Sequence, residues 1–147
     1  MSNRAVTARG ALRVRGRVLP WGVRTYVMGI VNVSPDSFSG DGVQGADAAR
    51  ARALGELAEG ADIVDVGAES TRPGHRPIDS TTERARLLPA LAALRAAAPD
   101  AIVSVDTFKA AVYRDAHAAG GDVLNSIWGA SDELIAACVE TSSPIVV

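Results

Sequence analysis

From residue 26 onward the chain repeats one pattern: a short apolar run stops at a polar residue, a loop follows, and then comes a longer stretch with apolar residues at helical spacing. The runs cover residues 26–31, 63–66, 102–105 and 123–124, and a fifth begins at 145. The stretches between them cover 46–59, 81–98, 109–119 and 132–140, and Gly60, Pro99 and the pair Gly120-Gly121 punctuate their ends. Short apolar runs without alternation suit strands buried on both faces, and strands alternating with helices build a parallel sheet.

Two architectures answer to that pattern, the doubly wound open sheet and the (β/α)8 TIM barrel. The doubly wound form usually carries a G-x-G-x-x-G turn after its first strand, and none is present. Instead the runs end in, or close to, polar residues: Asn32, Asp65, Asp106 and Asn125. Such residues converge when the sheet closes, because the carboxyl ends of barrel strands form one rim. A barrel takes about 250 residues, so the 147 residues are expected to hold a truncated one, roughly its first four βα units plus the start of strand five.

Before the first acid, Asp36, come six arginines, among them Arg13, Arg15 and Arg17 alternating with Leu12, Val14 and Val18. A basic arm would also be arginine-rich, but the apolar alternation with Gly16 near its middle predicts a short β-hairpin capping the fold. Residues 1–10 are read as a disordered tail and 11–147 as one partial barrel domain. A net charge of −2 gives no argument for nucleic acid, and no apolar run approaches the roughly 20 residues of a membrane helix. The single Cys138 agrees with a reducing compartment, so a cytoplasmic location is expected.

The rim residues describe a site for a polar, planar, partly anionic small molecule. Asp106 can accept two parallel N–H bonds from an aminopyrimidine edge, and Asn125 can donate and accept beside it. Arg72, followed by Pro73-Gly74, is suited to grip a phosphate or carboxylate, and Asn32 offers an amide oxygen that Mg²⁺ tolerates. Asp106 could equally cap the next helix, and Asn125 alone would be a common turn residue.

NVSPDSFSGDG at 32–42, DVGAESTRPG at 65–74, SVDT at 104–107 and Asn125, in this order, resemble the dihydropteroate synthase family. The resemblance implies a (β/α)8 barrel that joins 6-hydroxymethyl-7,8-dihydropterin diphosphate to 4-aminobenzoate with Mg²⁺ present. It implies that Asp106 and Asn125 bind the pterin, that Asn32 ligates the metal, and that Arg72 contacts the diphosphate with Ser70 and Thr71. Phe38 would wall the aminobenzoate pocket, and Asp41 would be the loop acid near the reacting carbon. The family commonly reads S-D-G-G where this chain has Ser39-Gly40-Asp41-Gly42, and has Asp where Ser126 stands.

The resemblance further implies a full-length homodimer whose later motifs lie past Val147, so the 147 residues alone are expected to be inactive. A methyltetrahydrofolate-dependent methyltransferase would share Asp106 and Asn125 but has no need of the two long loops. A non-catalytic pterin-binding protein is the other reading. Asp65 and Glu69 are read as structural acids, Glu83 as part of a solvated helix face, and Asp62 and Asp122 as solvent-facing caps. Trp128 is expected to pack at the rim.

Overall fold

The computed structural model describes residues 10–33, 45–70 and 76–147. Strands β1 (Ala11–Val14) and β2 (Arg17–Pro20) form an antiparallel hairpin. Then follow β3 (Met28–Asn32), α1 (Ala46–Ala58), β4 (Ile63–Gly67), α2 (Ser80–Ala97), β5 (Ile102–Asp106), α3 (Ala110–Ala118), β6 (Val123–Asn125), α4 (Asp132–Thr141) and β7 (Ile145–Val146). The expected order of strands and helices is thus the observed one.

Strands β3 to β7 lie side by side in chain order, all parallel. A doubly wound sheet reverses its strand order at a switch point; here it never reverses, and α1, α2, α3 and α4 each pack on the next. That single winding is the winding of a (β/α)8 barrel, of which these elements form one half.

The two faces of the sheet bury different partners. Val31, Val64, Val66, Val103, Val105 and Leu124 pack beneath the helices against Leu87, Leu91, Leu94, Tyr113 and Leu134. On the inner face, Ile102 and Val123 meet Val14 and Leu19 of the hairpin, with Leu12, Tyr26 and Ile63 around them. The hairpin therefore floors the inner face at the end opposite the rim.

Close approach makes one glycine obligatory. A Cβ on Gly121 would stand 2.6 Å from Val105 Cγ2 and 3.2 Å from the Ala116 carbonyl oxygen. Overpacking of this kind typically costs about 1–3 kcal/mol. Gly121→Ala is expected to lower the urea midpoint accordingly, and an unchanged midpoint would show that α3 can move away from β5.

Several features refine or correct the expectations. In the hairpin Val18 is half exposed, and Leu19 takes the inner position. The two-residue loop Arg15-Gly16, with φ of 47° and 70°, pairs Val14 with Arg17, which sets Leu12 opposite Leu19. The first parallel strand begins at Met28 rather than at residue 26, because Tyr26 turns toward the hairpin and donates its hydroxyl to the Pro20 carbonyl at 3.2 Å.

Asp62 and Asp122 are buried, not solvent-facing. Each precedes a strand and accepts a backbone N–H from the neighbouring chain segment, Asp62 from Val27, just before β3, at 3.0 Å and Asp122 from Val103 of β5 at 2.9 Å. Arginines then neutralise them: Arg24 grips Asp62 at 2.8 and 2.5 Å, while Arg15 and Arg95 reach Asp122 at 3.0 and 2.8 Å. The Arg24 guanidinium holds the Asp62 carboxyl at about 2. Two of the six early arginines thus pin the hairpin side of the molecule to the barrel floor.

Candidate active site

The rim is built by register. Asn32 lies opposite Gly67, Gly67 opposite Asp106, and Asp106 opposite Asn125, so the last residues of four strands line up on the inner face. Gly67 leaves room there, since a Cβ would sit 3.2 Å from that of Asp106. One layer deeper the same pairing brings Ile30, Asp65, Ser104 and Val123 together.

Asn125 donates from Nδ2 to Asp65 Oδ2 at 3.0 Å. Asp65 and Ser104 are buried, and Asp65 Oδ1 and Ser104 Oγ have no hydrogen-bond partner among the described residues. Burial pushes the Asp65 carboxyl above its ordinary range, although the nearby Ser104 and Asn125 pull the other way. Asp106 rises further, to about 7, through burial first and then the negative charges of Asp65, Glu83 and Glu69. Its side chain does not cap α3: the N-cap is Lys109, whose backbone N–H donates to Thr107 Oγ1 at 3.2 Å. The capping alternative therefore falls away.

Behind the rim lies an ionic network that sequence reasoning missed. Glu83 is 1% exposed, contrary to the expected solvated face. It accepts from Lys109 Nζ at 2.6 Å and from the Thr107 hydroxyl at 2.6 Å. Lys109 also donates to Glu69, whose other carboxylate oxygen accepts the Ile78 N–H at 3.2 Å. Burial opposes the Lys109 charge, but its bonds to Glu69 and Glu83 hold its pKa above the ordinary lysine value. Two signals were present in the sequence: Glu83 is in phase with Leu87, Leu91 and Leu94, and Lys109 is the single lysine beside fourteen arginines. A compact ammonium fits between two carboxylates better than a planar fork does.

Phe108 and Trp128 stack with centroids 5.0 Å apart at 38°, and Trp128 remains 55% exposed, so the expected packing at the rim is present. Ser126 is buried and donates its hydroxyl to the Gly129 carbonyl at 2.7 Å, closing the turn under Trp128. Ser70 lies half-buried just past β4, beside Glu69. Phe38, Asp41, Thr71 and Arg72 lie outside the described residues, as does the expected tail at 1–9. The structure thus brings together Asn32, Asp106 and Asn125, with Asp65 beneath them.

An acid and an amide on adjacent strand ends of a singly wound half-barrel can hold the polar edge of a heterocycle. The chain belongs to the pterin binding enzyme family, whose model matches residues 28–147. It is 46% identical over 112 residues to inactive dihydropteroate synthase 2 of Mycobacterium tuberculosis, covering 76% of this chain and 35% of that protein. It is 40% identical over 138 residues to the dihydropteroate synthase of Synechocystis, covering 92% of this chain and 47% of that protein. The structure of Xanthomonas albilineans dihydropteroate synthase with 4-aminobenzoic acid superposes with a TM-score of 0.82 at 40% identity, covering 93% of this chain and 50% of that one. The chain therefore spans between about a third and a half of these relatives' lengths.

Proposed function

We propose that this chain is the pterin-binding and diphosphate-binding half of a dihydropteroate synthase, inactive by itself. One observation carries the reading: Asp106 and Asn125 stand side by side at the carboxyl ends of β5 and β6, where an aminopyrimidine edge can lie across both. The bound 4-aminobenzoic acid of the Xanthomonas enzyme supports that compound as the second substrate.

In this reading the aminobenzoate nitrogen attacks the pterin methylene as diphosphate leaves. Asp106 and Asn125 hold the ring, Arg72 with Ser70 and Thr71 takes the departing charge, Asp41 faces the electron-poor carbon, and Phe38 walls the aminobenzoate. Among the described residues no three His, Cys, Asp or Glu side chains gather as a metal site. Asn32, half-buried at the rim, fits Mg²⁺ as a single hard oxygen ligand to an ion that otherwise keeps water and phosphate oxygens. When bound, Mg²⁺ would supply neutralisation of the diphosphate. The same reading places the full-length protein in the cytoplasm as a homodimer.

A second reading, a pterin-binding protein without turnover, is favoured by the 46% identity to a relative named inactive. Calorimetric titration with the pterin diphosphate, beside a condensation assay, tests both. The chain is expected to bind the pterin and make no dihydropteroate. Turnover by these 147 residues alone would refute the half-site reading, and absence of pterin binding would refute both. A fusion to the second half of the Xanthomonas enzyme separates the two: restored turnover supports the synthase, and pterin binding without turnover supports the second reading.

A further inference from the structure

The described inner face holds a buried acid to which the proposed reaction gives no task. Asp65 is 4% exposed, sits one layer below the rim, and receives the Asn125 Nδ2 amide at 3.0 Å. An ionised carboxylate only accepts hydrogen bonds, whereas an amide has one accepting and one donating end. With one N–H of its NH2 group given to Asp65, Asn125 keeps its Oδ1 for whatever lies at the rim. Turning the amide over would set two acceptors against each other in a buried place, which is unfavourable.

We propose that Asp65 is a positioning residue that fixes the amide of Asn125, so that Asn125 and Asp106 together present two acceptors and select ligands with an edge of N–H donors. The inference rests on the pterin-binding reading and sharpens it: Asn125 offers the ligand its accepting Oδ1. The two buried oxygens beneath, Asp65 Oδ1 and Ser104 Oγ, which lack a geometric hydrogen-bond partner among the described residues, extend the same oxygen-rich surface inward. The groups facing Asp65 are Ser104 and Asp106 from β5 and Asn125 from β6.

The test pairs two pteridines that differ at one edge. A 2-amino-4-oxopteridine presents an amino group and a ring N–H; the 2,4-dioxo compound replaces the amino group by a carbonyl. The parent chain is expected to prefer the first by about tenfold or more, since mismatch leaves buried acceptors unpaired. Asp65→Asn, nearly isosteric, lets Asn125 face either way, and the preference is expected to collapse.

A ligand-free readout accompanies it. In a ¹⁵N spectrum the Asn125 side-chain amide, assigned by its loss in Asn125→Asp, is expected to be shifted and slow to exchange in the parent and ordinary in Asp65→Ala. An Asn125 signal indifferent to Asp65, or an unchanged preference in Asp65→Asn, overturns the proposal. Binding of neither pteridine by the parent, with the amide signal still dependent on Asp65, confirms the positioning and removes the pterin reading instead.

Discussion

Asp106→Asn is expected to weaken pterin binding by about 10- to 100-fold, the worth of a charged hydrogen-bonding partner, while making the fold more stable at pH 8. Both effects come from one carboxyl, held at about 7 by burial and by the charges of Asp65, Glu83 and Glu69. An unfolded chain releases this proton near pH 3.9. Between that value and about 7 the folded state keeps a proton that the unfolded state has lost. Folding stability therefore falls as pH rises through this window, by at most ~1.4 kcal/mol per pH unit, and levels off above it.

Asparagine cannot ionise and removes that slope. The gain at pH 8 is expected to be on the order of 1–3 kcal/mol after allowing for solvent screening of a half-buried group, and near zero at pH 4. Urea unfolding at the two pH values measures it. A variant that differs from its parent equally at both would show that the carboxyl titrates normally. Ligand affinity of the parent should run the opposite way, weakening as pH falls below 7 and the acceptor acquires its proton.

A group that destabilises its own fold is what sequence reasoning could find here, because it stands where a strand stops. Asn32, Asp106 and Asn125 were legible as the polar ends of apolar runs, and a parallel register placed them on one rim. The helices were legible because Gly60, Pro99 and Gly120 break their periodicity near the observed ends.

Periodicity reports which face of an element is apolar; it does not report which distant charge will meet a polar residue on that face. Glu83 was therefore misread although it sits on the buried stripe of α2, because its partners Lys109 and Thr107 belong to another βα unit. Asp62 and Asp122 were misread for the same reason, the arginine of Asp62 coming from the segment between β2 and β3 and those of Asp122 from the hairpin and from α2.

Lys109→Met should be among the most damaging single changes, at about 3–5 kcal/mol, because it removes the ammonium that the buried acids Glu83 and Glu69 share. The side chains of Glu69 and Glu83 are 4% and 1% exposed, so water cannot take over the role of the ammonium. Breaking one partner of a buried pair costs far more than replacing the whole group by apolar residues. The triple variant Glu69→Leu, Glu83→Met, Lys109→Met is therefore expected to be more stable than Lys109→Met alone, as thermal unfolding can measure. A single variant that loses less than ~1 kcal/mol would place the network with the weak, solvent-screened ion pairs. The network also bears on the rim: Glu83→Gln keeps the Thr107 bond but removes one of the charges that raise Asp106. Its Asp106 should ionise at lower pH than in the parent, so that pterin binding persists further into acid even as the fold is weakened.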